Sequence, residues 1–359
     1  MVPPTADIHT VGRMSPQEQI DLLYGLVAIP SLSGGEGDAV AYLVERMRSL
    51  GLDARVDEAG NAVGTVGSGE RHVVLLGHID TVPGEVPVGI ADGALTGRGS
   101  VDAKGPLATF VCAAAMAAAR LKCRVTVVGA VGEESMGSLG ATAVAEWPAP
   151  DLCIIGEPSG WDGLCLGYRG ALSATYRLRQ PSRHTAGPGE AAAEQVIAFW
   201  NTLVAAVAER NGEATGFNAI APSVRDMGTR HDGMSDEAWL TVGLRLPPGL
   251  DVRWMTTTLE RLAAPGELTV HGMQEGYRSG KRTPLVPPFL RAIRAVGGEP
   301  RFTVKLGTSD MSVVGPRWRC PILAYGPGDA ALDHTPEERI VLAEYLKAVT
   351  VLTSVLEAL

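Results

Sequence analysis

Imidazoles and carboxylates that follow apolar runs are the residues best placed to do chemistry in this chain. His78 and Asp80 stand in Gly77-His78-Ile79-Asp80-Thr81-Val82-Pro83, directly after the apolar run at 72–77. Side chains two apart on an extended chain point to the same side. His78 can therefore offer one ring nitrogen to a metal while Asp80 accepts the proton of the other, which fixes the tautomer and raises basicity. A glycine-rich turn, Gly97-Arg98-Gly99-Ser100-Val101-Asp102-Ala103-Lys104-Gly105, delivers Asp102 to a helix start, where a carboxylate can bridge two cations. Its spacing fits neither Gly-x-Gly-x-x-Gly nor the Walker pattern, which argues against a phosphate loop. Glu133 and Glu134 follow a strand ending at Val131. Adjacent carboxylates on a turn diverge, so one can ligate a metal while the other faces water as general base. Glu157 sits past the apolar run 152–156, and His334, in Leu332-Asp333-His334-Thr335-Pro336-Glu337-Glu338, is expected to cap the last helix.

Taken singly, each residue is ordinary, since loop acids are usually solvated and lone histidines usually structural. Together they describe two divalent cations that share Asp102, one also held by His78 and Glu157, the other by Glu134 and His334. Mixed nitrogen and carboxylate ligation suits Zn²⁺, with Co²⁺ or Mn²⁺ as alternatives. Such a pair takes the pKa of a coordinated water from about 15.7 toward ~7 and polarises a carbonyl, which points to amide hydrolysis. Gly-x-Ser-x-Gly, His-Glu-x-x-His and an obvious cysteine nucleophile motif are all missing from the sequence.

The elements that must position these donors alternate. Ser15-Pro16-Gln17-Glu18 announces a first helix running to about residue 28, with a capping serine, proline at the first helical position and a glutamate placed to reach back. A helix at 38–50, strands at 54–57 and 72–77, a buried helix at 104–121, a strand at 124–131, a helix at 138–146 and a strand at 152–156 follow. That rhythm predicts an α/β domain with a mainly parallel sheet and helices on both faces. After Gly167 the pattern changes: strand 171–179, helix 191–209, then strand, helix and strand at 239–246, 252–262 and 268–273. The remainder returns to the first pattern, with segments at 288–296, 301–305 and 321–325 and a closing amphipathic helix at 336–356. The expected organisation is a discontinuous catalytic domain, 1–168 and 281–359, with an inserted α+β lid domain at 169–280.

Composition narrows the function classes. The chain has 359 residues, 45% hydrophobic and 20% charged, enough apolar material for more than one core. A net charge of -9 argues against a nucleic-acid surface. The longest apolar segment, 110–119, stops at Arg120, far short of the ~20 residues of a membrane span, so no membrane association is expected. The five cysteines lack a Cys-x-x-Cys pair, and no basic, then apolar, leader opens the chain. Both features point to reduced thiols and a cytoplasmic location.

In order and context, the stretches Gly77–Pro83, Gly99–Gly105, Gly132-Glu133-Glu134, Gly156-Glu157-Pro158 and Asp333-His334-Thr335-Pro336 resemble the M20 family of metallopeptidases and deacylases over nearly the whole length. Residues 156–163, 305–311 and 324–329 are similar to the branch that releases lysine, or ornithine, from the C-terminal glutamate of an acidic amino-group carrier protein in lysine and arginine biosynthesis. Small-molecule deacylation of the acetylornithine or succinyl-diaminopimelate type stays open, as does a non-catalytic metal-binding relative. The resemblance implies Glu133 as general base, Asp80 as orienter of His78, a bridging Asp102 with a cis bond to Ala103, and a homodimer formed through the lid domain. It also implies that His184 stabilises an oxyanion across the dimer interface and that Arg245 grips a substrate carboxylate. Where relatives carry asparagine in the preceding strand, the nearest match here is Asp232, so the resemblance suggests Asp232 as a contact for a substrate's basic end. An acidic carrier docking on an acidic enzyme requires a local basic rim, for which Arg278, Lys281, Arg282, Arg317 and Arg319 are candidates.

Overall fold

The computed structural model describes residues 14–184 and 187–359, which fall into two compact units. The first comprises the chain up to Gly167 with Ser279–Val304 and Ser309–Leu359; the second comprises Tyr168–Arg278 with Lys305–Thr308.

The first unit is built on a mixed sheet. Its centre is parallel: strand His72–His78 lies between Arg124–Ala130 and Leu152–Gly156, and Ile322–Ala324 extends the row beyond Leu152–Gly156. These strands are buried almost end to end, which is why they read as continuous apolar runs rather than alternations. The flanks are antiparallel, with Asp53–Val56 and Ala62–Val66 on one side and Gly163–Tyr168 beside Ile322–Ala324 on the other. Helices Lys104–Ala117 and Leu139–Val144 supply the crossovers between consecutive central strands that parallel pairing needs.

Helix Lys104–Ala117 is buried on nearly every side, as its all-round apolar sequence requires. It can lie close to the sheet because Gly77 and Gly156 are paired across neighbouring strands. A Cβ on Gly156 would meet Phe110 of this helix at 2.9 Å and the Gly77 Cα at 3.0 Å. The expected capping box opens helix Pro16–Val27, with Ser15 and Glu18 exchanging hydrogen bonds. Helix Leu342–Ala358 closes the chain. It starts later than the sequence suggests, because residues 336–341 turn and then form strand Arg339–Val341, paired with Ala94–Thr96. His334 therefore does not cap the final helix; it follows a 3₁₀ turn, Ala330–Leu332, with φ +60°.

The second unit is an antiparallel four-stranded sheet in the order Ala221–His231, Ser235–Leu246, Gly170–Pro181, Glu267–Gln274. Helices Ala192–Asn211 and Val252–Leu262 supply Val196, Phe199, Leu203, Met255 and Leu259 to its own apolar core. No helix among the described residues is long and apolar enough to cross a membrane.

Candidate metal centre

Three adjacent parallel strands deliver donors at their carboxyl ends, where open α/β sheets form their sites. His78 is the last residue of its strand, Glu133 and Glu134 follow Arg124–Ala130, and Glu157 follows Leu152–Gly156. The turn before helix Lys104–Ala117 adds Asp102, whose bond to Ala103 is cis.

The donors converge. His78 Nε2 lies 3.1 Å from Asp102 Oδ1, and His334 Nε2 lies 3.1 Å from Asp102 Oδ2 and 2.9 Å from Glu134 Oε1. Ligand atoms of His78, Glu133 and Glu134 come within 4.8 Å of one another, as do those of Asp102, Glu134 and His334. Asp102 thus touches both imidazoles with different oxygens, and Glu134 belongs to both groups. Glu157 joins neither group; it is buried, and its carboxyl feels the charges of Asp102 and Glu133.

Asp80 does more than its spacing suggests. His78 Nδ1 donates to the Asp80 main-chain carbonyl at 3.0 Å, while the nearer carboxylate oxygen stands at 3.5 Å. That carboxylate accepts from the Ser33 hydroxyl at 2.7 Å and from the backbone amides of Glu133 and Glu134 at 3.0 and 2.9 Å. One fully buried acid therefore holds both the histidine and the turn that presents the two glutamates.

The electrostatics describe crowded negative charge. Burial, with Asp310, Glu134 and Asp102 adding to it, drives the Glu133 carboxyl well above the ordinary glutamate range, against the opposing pull of His78. Burial, then Asp102 and Glu133, does the same to Glu157. Burial also pushes Asp310, which no local sequence signal marks, up to about 7. Burial disfavours charge on His78, but the Asp102 and Asp80 carboxylates outweigh it and hold its pKa well above the imidazole range. The Asp102 and Glu134 carboxylates lift His334 to about 10. More buried carboxyls than cationic side chains, with two imidazoles pointed at a shared carboxylate, form a donor set that fits divalent cations.

The remaining candidates lie in the second unit. His184 is exposed in the loop after Gly170–Pro181, its carbonyl accepting from Gly187 N, and its neighbours at 185–186 fall outside the described residues. Arg245 Nη1 donates to Thr308 Oγ1 at 3.1 Å, and Arg169 stands close enough for the two guanidinium charges to repel. Asp232 closes the hairpin between Ala221–His231 and Ser235–Leu246, accepting from the Met234 and Ser235 amides, the Ser235 hydroxyl and Arg179. Those are the bonds of a turn, and they occupy both carboxylate oxygens. Of the rim candidates, Arg317 pairs with Glu146, Lys281 lies over the Phe302 ring, and Arg278 lies over the Phe217 ring.

A LysW-lysine hydrolase of Deinococcus radiodurans is 47% identical over 94% of this chain and 96% of its own length. A putative LysW-lysine/LysW-ornithine hydrolase of Thermococcus kodakarensis is 40% identical over 96% and 93%. A succinyl-diaminopimelate desuccinylase of Gluconacetobacter diazotrophicus is 28% identical over 97% and 99%. Among solved structures, an M20 family metallo-carboxypeptidase of Sulfolobus solfataricus shares the fold with TM-score 0.77 and 18% identity over 96% and 99%. A Staphylococcus aureus tripeptidase does so with TM-score 0.79 and 20% identity over 97% and 99%. Residues 74–358 match peptidase family M20/M25/M40, and the chain belongs to that family.

Proposed function

We propose that this chain is a two-cation amide hydrolase that releases lysine, or ornithine, from the C-terminal glutamate of an acidic LysW-type carrier protein. The observation that carries the chemistry is the convergence of His78, Asp102, Glu134 and His334, with Glu133 at the same centre. The relative from Deinococcus radiodurans supports the substrate.

His78, Asp102, Glu134, Glu157 and His334 would hold two divalent ions, Zn²⁺ first, with Co²⁺ or Mn²⁺ as substitutes. When bound, these ions supply Lewis acidity toward the scissile carbonyl and the attacking water. The rest falls to the chain. Glu133 takes a proton from the water as it attacks the carbonyl carbon and returns it to the leaving amine as the carbon–nitrogen bond breaks, leaving a carboxylic acid and a free amino acid. Asp80 holds the turn that aims Glu133. Arg245 grips a substrate carboxylate with its planar fork.

Residues 169–280 act as a lid through which two copies pair, and His184 of one copy donates to the oxyanion in the other. The exposed Val224, Met227, Val270 and Met273 on the outer strands of the antiparallel sheet support such pairing. The enzyme works in the cytoplasm, in lysine or arginine biosynthesis. A second reading, small-molecule deacylation, is favoured by the full-length similarity to the desuccinylase. Metal-reconstituted enzyme is offered the carrier–lysine adduct, the carrier–ornithine adduct, acetylornithine and succinyl-diaminopimelate, with release followed by mass spectrometry. A kcat/KM for either small substrate well above that for both adducts refutes the carrier reading.

A further inference from the structure

Glu338 is 1% exposed, although it follows another glutamate in a polar stretch. Its Oε1 accepts from the backbone amides of Val101 and Asp102 at 3.0 and 3.2 Å, and its Oε2 accepts from Arg98 Nη1 at 2.6 Å. The same Arg98 nitrogen donates to the Thr335 carbonyl at 3.2 Å, and Arg98 Nε donates to the Gly84 carbonyl at 3.0 Å. Four residues before Glu338 stands His334, whose ring meets Asp102 at 3.1 Å. One buried acid therefore ties together two loops distant in sequence, the loop of the shared carboxylate and the loop of the imidazole beside it.

The chemistry of the pair explains why a carboxylate is needed. Two amide donors and a guanidinium converge on one buried group, and only an anion accepts from all three without leaving a buried donor unmet. Arg98 supplies the compensating charge, without which the buried acid would be costly. Strand Arg339–Val341, paired with Ala94–Thr96, anchors the clamp on its far side.

We propose that Glu338, braced by Arg98, is a positioning residue that sets the spacing of Asp102 and His334 and so governs uptake of the second divalent ion, the one that Glu134 and His334 would hold beside the shared Asp102. The proposal rests on the two-cation reading above. Glu338 makes no bond to the donor atoms themselves, so its effect runs through the Asp102 amide and the turn that follows His334.

The test titrates Co²⁺ alone into metal-free wild type and E338Q, reading visible absorbance, beside kcat and KM of the Zn²⁺ enzymes and the thermal midpoint of the metal-free proteins. Loss of a group that orients metal ligands weakens binding about 10- to 100-fold. E338Q should therefore bind its second Co²⁺ at least about tenfold more weakly, with an altered visible spectrum, and its first Co²⁺ less affected because His78 and Glu157 still hold it beside the shared Asp102. Its kcat should fall while KM stays within about twofold, because substrate contacts are untouched. A Co²⁺ titration and spectrum that overlay wild type overturn the proposal, whatever happens to thermal stability. Should E338Q fail to fold, R98K keeps Glu338 on the two amides while breaking the arm to Gly84 or Thr335. It must then show the same weakening of the second ion in smaller degree, and unchanged binding there overturns the proposal equally. Wild type that takes up no second Co²⁺ overturns the two-cation reading and the proposal with it.

Discussion

Replacing Asp80 by asparagine changes one buried atom and tests how the centre is held. Asp80 is fully buried, and its oxygens accept from Ser33, Glu133 N and Glu134 N. In the amide, one oxygen becomes NH₂. Turned either way, that group confronts the N–H of Glu133 or of Glu134, donor against donor. Losing a hydrogen bond to a charged acceptor costs about 1.5–3 kcal/mol. At about 2 kcal/mol, and about 2–4 °C per kcal/mol for a unit of this size, the metal-free protein should melt about 4–8 °C lower. The functional loss should be larger. His78 loses the anion 3.5 Å from its Nδ1, which predicts about 10- to 100-fold weaker metal binding. A displacement of Glu133 by about 1 Å predicts a kcat about 10²-fold lower. Calorimetry of metal-free protein, Zn²⁺ competition against a chromophoric chelator and amino-acid release from the carrier adduct read the three quantities. Ser33→Ala serves as control: it removes one hydroxyl, leaves the charge and both amide bonds, and should cost far less in all three. Metal affinity and kcat of D80N within threefold of wild type would refute the reasoning, even with a lowered melting temperature.

Three further outcomes can be measured. Glu133→Gln should lower kcat by about 10²–10⁴ with two ions still bound by elemental analysis, as expected for loss of a general base; equal turnover removes Glu133 from the chemistry. Arg245→Met should raise KM about 10- to 100-fold with kcat largely kept, as loss of a charge-assisted bond of about 1.5–3 kcal/mol made equally in ground and transition states requires. A purely kcat effect would show that Arg245 does not hold a substrate carboxylate. His72, far from the centre in the chain fold's sheet and bonded to Thr126, has a lowered pKa, first from burial and then from Arg124. A depressed histidine binds its proton more readily unfolded, so stability should be whole above pH 6.5 and decline as pH falls through that value, levelling below the folded pKa. His72→Gln should flatten that part of the stability curve, and an unchanged slope in urea melts across the window would refute the assignment.

The parallel core was legible because burial on both faces leaves a local trace: 72–77 and 152–156 are continuous apolar runs, and the residues just past such runs are where a sheet of this kind presents its chemistry. His78, Glu133, Glu134 and Glu157 could be placed by that rule alone. The misses have equally local causes. Strand Ala221–His231 is an edge strand exposed along most of its length, so no apolar alternation marks it. Helix Met311–Trp318 carries Gly315 and Pro316, which erase the helical signal. His184 and Arg245 came into view only through resemblance, since an isolated histidine or arginine carries no period.

The clearest lesson lies in residues 333–341. A proline followed by two glutamates reads as the first turn of a helix, and the two acids then read as solvated charges favourable at its N-terminus. The chain instead turns and pairs Arg339–Val341 with Ala94–Thr96, a contact between segments far apart in sequence that no local propensity encodes. That pairing makes the inward course of Glu338 possible, and with it the bonds to Val101, Asp102 and Arg98. Candidate donors could be picked out because their types limit what they can do. The groups that aim them were not, since Ser33, Arg98 and Glu338 acquire their functions only when the fold brings an amide or an acid within hydrogen-bonding reach.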